Sequence, residues 1–193
     1  METQHVVVAG AGVVGSAIAV ELLRAGLRVS LVDEGGPGGE QSASYGNPGW
    51  LSAHSVITPS TPGLVWKVPG YLADPLGPLS LRPGHLPKVA PWLLRYTLAG
   101  STWAKVERIA FALRPLIKEA PGLHADLARE AGVPEYIDQS GLLAAFDSRA
   151  QFSATAGKEW EIRRKAGITW EELEGDALRE AEPDLSPVYT DAL

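Results

Sequence analysis

The sequence of 193 residues predicts an α/β fold that opens with a parallel strand–helix–strand unit and continues into a second, α+β segment. Three observations predict the opening unit. Val6-Val7-Val8 is a short β-branched run of the kind found in buried parallel strands. Residues 16–24 are rich in Ala, Leu, Ile and Glu without a breaker, and Gly26 stands where such a helix would end. Residues 29–32 form a second apolar run that predicts the next strand.

The glycines between the first strand and the helix follow the pattern Gly10-Ala11-Gly12-Val13-Val14-Gly15. Gly10 permits a tight turn, Gly12 removes the Cβ that would hold the backbone away from a pyrophosphate, and Gly15 lets the helix pack closely on the strand. The N–H groups and the dipole at the start of the helix favour an anion without a cationic side chain. In this strand-to-helix context, the pattern predicts a Rossmann-type dinucleotide site.

An acidic residue follows the second strand. Asp33 comes 18 residues after Gly15, near the spacing at which a carboxylate binds ribose hydroxyls. Glu34 is the alternative, although Asp33 ends the strand whereas Glu34 begins the glycine-rich loop at 35–39. A carboxylate at this place disfavours a 2′-phosphate, so NAD and FAD remain as candidate ligands.

The segment after the second strand favours FAD over NAD. Residues 35–63 are crowded with Gly, Ser, Pro, Thr and Asn, whereas a nicotinamide-binding domain would proceed to a further helix and a third parallel strand. Such a long irregular stretch is usually functional or disordered. Small hydroxyls, an amide and glycines can surround a flat ligand closely, which suits a flavin.

These residues resemble the FAD-dependent D-amino-acid oxidase superfamily, and more narrowly its D-amino-acid dehydrogenase branch. The resemblance rests on the segments at 10–15, 29–33, 44–52 and 178–183. It implies that the three glycines lie under the pyrophosphate, Asp33 on the adenosine ribose, and Ser42, Ser44 and Asn47 near the pyrophosphate or the isoalloxazine. Pro48 stands where the family usually has Ala, and proline cannot donate a backbone hydrogen bond. The expected cofactor-binding residues are Gly10, Ala11, Gly12, Val13, Val14, Gly15, Asp33, Glu34, Ser42, Ser44, Asn47 and Gly49.

By this resemblance, the protein is an FAD-dependent oxidoreductase that deaminates a D-amino acid oxidatively, with hydride transfer from the α-carbon to the flavin. A glycine, sarcosine or proline-type amine oxidase on the same scaffold is the alternative among enzymes, and a catalytically silent truncated chain or partner subunit is the alternative outside them. Members of the superfamily are about twice as long, so the chain is expected to be an amino-terminal half. No residue in it is predicted to be catalytic.

We expect a cofactor-binding segment over residues 1–50 and part of a substrate domain over 51–193. The second segment should contain helical turns within 59–71 and 83–101, including a helix at 89–99. An amphipathic pattern from 102 to 131 predicts helix with a break or a kink at Pro115 and at Pro121. The remaining predicted elements are antiparallel strands at 136–137 and 142–146, a helix at 149–166 and a strand near 168–173.

Composition limits the partners. A net charge of −6 and a pI near 5.2 provide no basic surface for nucleic acid. The chain has no Cys and its four His are scattered, so neither a disulfide nor a metal site is predicted. We expect a cytoplasmic protein, since the amino terminus lacks a signal-peptide pattern. The resemblance implies an amino-acid substrate. Peripheral contact with the inner membrane, a complementary subunit and a homo-oligomer all remain open.

Overall fold

The computed structural model describes residues 4–47, 49–74, 76, 79–80, 82–155 and 157–193. The chain divides into two compact units, Met1–Leu51 and Ser52–Leu193, which are called unit 1 and unit 2 below. Each unit combines helices with strands. The mixed helix and strand content agrees with the predicted α/β class.

Unit 1 is a strand–helix–strand arrangement. It consists of β1 (His5–Ala9), α1 (Val13–Arg24) and β2 (Arg28–Val32), and the two strands pair in parallel with Val7 opposite Ser30. The helix packs on both strands. This is the order that the β-branched run, the breaker-free stretch and the second apolar run predict, and it places the carboxyl ends of both strands at the same edge of the sheet.

The turn from α1 into β2 is closed by Gly26, as its position in the sequence predicts. Gly26 has a φ of +79°, which only glycine adopts without strain. Its N–H donates to the carbonyl of Leu23 at 2.9 Å, and the N–H of Leu27 donates to the carbonyl of Leu22 at 3.1 Å. This pair of bonds is a Schellman motif, which satisfies the last helical carbonyls and directs the chain back along the sheet.

The buried core of unit 1 is small. Its buried apolar residues are Val8, Ala11 and Ala19. Val7 and Val32 on the two strands are 62% and 55% exposed. A two-stranded parallel sheet of this kind leaves most of its apolar surface uncovered within the described part of the unit.

Unit 2 is mainly helical. Its helices are α2 (Leu64–Ala73), α3 (Leu86–Ala99), α4 (Trp103–Ile117), α5 (Ala120–Glu130), α6 (Arg149–Thr155), α7 (Lys158–Lys165) and α8 (Gly175–Ala181). Helices α4 and α7 pack together around a buried cluster formed by Val56, Val106, Ala110, Ile162 and Ile168. The hydroxyl of Thr102 accepts the N–H of Lys105 at 3.3 Å and thereby caps the start of α4.

The side chain of Arg114 joins separate parts of unit 2. Its Nε donates to the carbonyl of Ala166 at 3.2 Å and its Nη1 donates to the carbonyl of Ala53 at 2.7 Å. Both bonds are partly buried. Arg114 therefore ties α4 to the segment before α2 and to the end of α7.

A three-stranded antiparallel sheet completes unit 2. It contains β3 (Ala145–Phe146), β4 (Leu173–Glu174) and β5 (Asp191–Ala192), with β5 in the centre. The sequence prediction of a strand at 136–137 is wrong, because Pro134–Tyr136 forms a 3₁₀ turn that a proline opens. β3 is shorter than predicted and pairs with β5 instead of with 136–137.

Other predicted boundaries also need correction. The helix predicted at 149–166 is two helices, α6 and α7, and the strand predicted near 168–173 is confined to β4. Pro115 lies inside α4 and does not break the helix. Pro121 lies in the first turn of α5, so the predicted break falls between α4 and α5. Within the described residues, no helix combines the length and the apolar character needed to cross a membrane.

Candidate functional site

The candidate site lies in unit 1, where β1 turns into α1. Gly10 adopts a φ of +101°, and its N–H donates to the carbonyl of Val32 at 2.7 Å. This bond joins the carboxyl ends of the two strands and lets the backbone reverse into the helix. An open groove follows the turn, and its walls are Val8, Ala9, Gly10, Gly12, Val13, Val14, Gly15, Ile18, Asp33, Ser42, Ala43 and Ser44.

Close packing at the turn requires Gly15, whereas Gly12 keeps space open beside the loop. A Cβ on Gly15 would lie 1.7 Å from the carbonyl oxygen of Gly10, so only glycine fits at this point of α1. A Cβ on Gly12 would lie 3.4 Å from Oγ of Ser44 and 3.6 Å from Cβ of Ser42. The space left by Gly12 therefore faces the two serines, and a side chain there would narrow the groove.

The first turn of α1 offers hydrogen-bond donors to the groove. The N–H of Val13 donates to Oγ of Ser44 at 3.1 Å. Within the described structure, the N–H groups of Gly12, Val14 and Gly15 donate to no protein acceptor. Together with the helix dipole, these amides give this end of the groove a positive potential without a cationic side chain. The arrangement can hold an anion of the size of a phosphate.

Asp33 follows β2 and lies against the same turn. Its Oδ2 accepts the N–H of Ala11 at 2.6 Å, and its Oδ1 accepts the N–H of Gly35 at 3.1 Å and Nε2 of Gln41 at 2.8 Å. These donors lower the pKa of Asp33 below its ordinary value, with the Ala11 amide as the largest cause, followed by Gln41 and Gly35. The carboxylate is therefore ionised at neutral pH.

Gln41 is a site residue that the sequence did not predict. Its Nε2 donates both to Asp33 and to the carbonyl of Gly36 at 2.8 Å. Together with Gly10, Val32, Asp33 and Glu34, it lines a second open groove beside the first. No motif marks this residue, because its role depends on the loop at 35–41 folding back on Asp33.

Ser42 carries an unsatisfied hydroxyl. Its Oγ is buried without a hydrogen-bond partner in the described structure, although the residue lines the groove beside Gly12. Buried polar atoms without partners are rare in folded proteins, and a bound ligand is one explanation for such an atom. Oγ of Ser44 accepts from Val13, which leaves its own O–H free to donate to a group in the groove.

The structure separates the other predicted site residues from this groove. Oδ1 of Asn47 accepts the N–H of Gly49 at 2.9 Å in a local turn, and both residues are exposed and absent from the groove walls. Glu34 is exposed and lines the second groove. Pro48 lies outside the described residues. The predicted residues at 10–15, Asp33, Ser42 and Ser44 are thus the ones that the fold brings together.

The site residues offer the chemistry of a dinucleotide ligand. Free amides and two serine hydroxyls lie beside a glycine-lined groove, which suits a diphosphate. The ionised Asp33 lines this groove and the second groove beside it, where it can accept a hydrogen bond from a hydroxyl of a sugar. The orphaned Ser42 hydroxyl and the space kept open by Gly12 are the two observations that fit a bound group in the groove.

Comparison with known proteins places these features in context. Residues 5–193 match the family described as FAD dependent oxidoreductase. The chain is 57% identical over 189 residues to a D-amino-acid oxidase of Bradyrhizobium diazoefficiens. The matched region covers 98% of this chain and 44% of that protein. It is 32% identical over 180 residues to a D-amino acid dehydrogenase of Phenylobacterium zucineum, with 93% and 42% covered. The chain spans less than half the length of these curated relatives. No solved structure gives a significant match.

Proposed function

The chain belongs to the FAD-dependent oxidoreductase family, and from this premise we propose that unit 1 binds the adenosine diphosphate part of FAD in the groove at the start of α1. The observation that carries the proposal is that free amides at the start of α1 and an ionised carboxylate line the same groove beside the Gly10 turn. In a Rossmann-type unit the amides contact the diphosphate and the carboxylate contacts the adenosine ribose.

Each contact has a physical role. The N–H groups of Gly12, Val14 and Gly15 would donate to the diphosphate at the positive end of the helix dipole. Ser42 would gain the hydrogen-bond partner that it lacks, and Ser44 would donate its hydroxyl proton while still accepting from Val13. Because the groove already has its shape before the ligand binds, the protein loses little conformational entropy on binding.

Asp33 selects the type of dinucleotide. An ionised carboxylate attracts a ribose hydroxyl and repels a 2′-phosphate, so the site favours FAD over a phosphorylated nicotinamide cofactor. Glu34, the alternative acid, is exposed, and its side chain makes no hydrogen bond among the described residues, whereas its backbone N–H helps to lower the pKa of Asp33. Asp33 is therefore the acid assigned to the ribose in this proposal.

For the whole protein, we infer oxidation of a D-amino acid. The inference rests on the relatives named D-amino-acid oxidase and D-amino acid dehydrogenase, which this chain matches over 93–98% of its own length. When bound, FAD supplies the acceptor for the hydride from the substrate α-carbon. The role of unit 1 in that reaction is to hold the adenosine diphosphate end of the cofactor in one place.

A titration of the purified chain with FAD tests the cofactor site. We expect the flavin fluorescence to change with saturation, and Asp33→Asn to weaken the affinity by roughly a factor of ten or more, since a hydrogen bond to a charged group is lost. Glu34→Gln is the matched control, because it removes the adjacent negative charge and should leave the affinity within about twofold. Equal effects of the two substitutions would refute the assignment of Asp33, and no saturable binding by the unaltered chain would refute the site.

The reaction is tested separately. The assay uses the whole protein with bound FAD under anaerobic conditions. D-alanine should bleach the flavin absorption and L-alanine should not. Bleaching by glycine, sarcosine or proline without bleaching by D-alanine would instead identify the amine-oxidase alternative. FAD binding without bleaching by any of these amines would contradict the proposed reaction and leave the cofactor site intact.

A further inference from the structure

The loop at 35–41 holds the carboxylate of Asp33 in one orientation. Oδ1 accepts two hydrogen bonds, from the N–H of Gly35 and from Nε2 of Gln41. Oδ2 accepts one, from the N–H of Ala11. Of these three bonds Oδ1 accepts two, so Oδ2 is the less occupied oxygen, and the backbone N–H of Glu34 is a smaller contributor to the same carboxyl group.

From this count we propose that Gln41 is a positioning residue that fixes Asp33 so that Oδ2 alone is offered to a hydroxyl of the adenosine ribose. The proposal rests on the proposed function and extends it to a residue outside the glycine motif. Gln41 itself contacts Asp33 and need not touch the cofactor. Its amide occupies Oδ1 of Asp33, which leaves Oδ2 for a hydrogen bond from the ribose.

The environment of Gln41 supports this role. The same Nε2 donates to the carbonyl of Gly36 at 2.8 Å, so the amide is held at two points. Gly35 and Gly39 lie directly against it, and a Cβ on Gly35 would be 2.7 Å from the Gln41 amide carbon. Because the loop glycines close around the amide, the entropy of the long side chain is already lost in the folded protein. Binding of the ribose then does not have to order Gln41.

A purely structural role makes a different prediction. If Gln41 only anchored the loop through the Gly36 carbonyl, its removal would loosen the loop at 35–41 and move the Gly35 N–H, itself a donor to Asp33, away from the carboxylate. If it positions Asp33, its removal also takes away one of the donors that lower the Asp33 pKa. A shift of the Asp33 midpoint with unchanged exchange of the Gly35 amide therefore indicates the positioning role, whereas a shift that accompanies faster exchange of that amide indicates anchoring alone.

The first experiment follows the Asp33 carboxyl carbon by NMR as a function of pH in the chain without cofactor. Gln41→Met keeps the length of the side chain and removes the donor, so the Asp33 midpoint should move to higher pH. Gln41→Lys restores a donor with a positive charge, so the midpoint should move to lower pH. Gln139→Met makes the same change at an exposed residue of unit 2 and should leave the midpoint where it is. An unchanged midpoint in Gln41→Met overturns the positioning role, even if amide exchange in the loop increases.

The second experiment measures binding by the same variants. Gln41→Met should weaken the binding of FAD by roughly tenfold and leave the binding of inorganic pyrophosphate, which lacks the adenosine ribose but fits the free amides at the start of α1, within about twofold. Equal weakening of both ligands, or of neither, overturns the proposal for Gln41. Absence of FAD binding by the unaltered chain would instead refute the proposed function and the ribose contact with it, whereas the NMR titration would still report on Gln41 and Asp33. The two failures are thus distinguishable.

Discussion

Gly15→Ala should separate α1 from the end of β1. The added Cβ would lie 1.7 Å from the carbonyl oxygen of Gly10, so the helix has to move by about 1.7 Å to reach ordinary van der Waals contact. The blocking atom is backbone, and no side-chain rotation relieves it. Overpacking of this kind costs up to about 3 kcal/mol, whereas Ala gains about 1 kcal/mol over Gly in a helix, which leaves a net loss of about 2 kcal/mol.

Native-state amide exchange can measure this loss within unit 1 alone. A loss of about 2 kcal/mol should lower the protection of the α1 amides by about thirtyfold and weaken FAD binding in parallel. Gly70→Ala is the matched control, because Gly70 is also helical, in α2, and a Cβ there meets nothing within 4 Å. Gly70→Ala should stabilise its helix by about 0.5–1 kcal/mol. Unchanged α1 protection in Gly15→Ala would refute the close-packing argument.

Three further predictions concern charge, burial and the core of unit 2. The folded protein lowers the pKa of Asp33, so the contribution of the Asp33 carboxylate to stability and to FAD affinity should be complete above about pH 4, the ordinary pKa of Asp. It should be lost as the pH falls through the lowered pKa. Asp33→Asn should abolish this pH dependence in a binding titration. Ser42→Ala should leave the cofactor-free chain equally or more stable in thermal unfolding, because Oγ is unpaired, and weaken FAD binding in calorimetry. Arg114→Met should cost unit 2 about 1–3 kcal/mol in urea unfolding followed by tryptophan fluorescence, because the carbonyls of Ala53 and Ala166 lose their donors; an unchanged midpoint would contradict this role.

The opening of unit 1 was predictable because its requirements are local. A β-branched run, a glycine with positive φ and a breaker-free stretch each fix a few residues by their own conformational preferences. Asp33 was predictable for the same reason, since the end of a strand is visible in the sequence and the spacing from Gly15 follows from the length of one helix. Gly26 shows that a helix end can be predicted to the residue when a glycine stands at it.

The sheet of unit 2 was not predictable because its strands are too short to carry a pattern. β5 covers two residues and pairs with partners far away in sequence, so no alternation of apolar and polar residues marks it. Tyr136 has a high strand propensity, but Pro134 starts a 3₁₀ turn and local geometry outweighs that propensity. Pro115 shows the reverse case, in which a helix continues through a residue that usually ends it.

Gln41 escaped prediction for another reason, which is that its importance depends on how the loop folds. In the sequence, Gln41 is one polar residue in a glycine-rich stretch. Only the folded loop brings its amide to Asp33 and buries the Ser42 hydroxyl beside Gly12. Residues that act through a backbone shape, and not through a motif, become visible only when that shape is known.

The features that suit unit 1 to bind a ligand also limit its stability without one. The buried hydroxyl of Ser42 is an unsatisfied polar group, three amides at the start of α1 have no protein acceptor, and the sheet buries few apolar side chains. A ligand that satisfies these groups binds the folded unit and not the unfolded chain, so it stabilises the fold by an amount that grows with its concentration, about 2.7 kcal/mol at one hundred times the Kd. Folding of unit 1 and occupation of its groove are therefore coupled, and any substitution that weakens one should weaken the other.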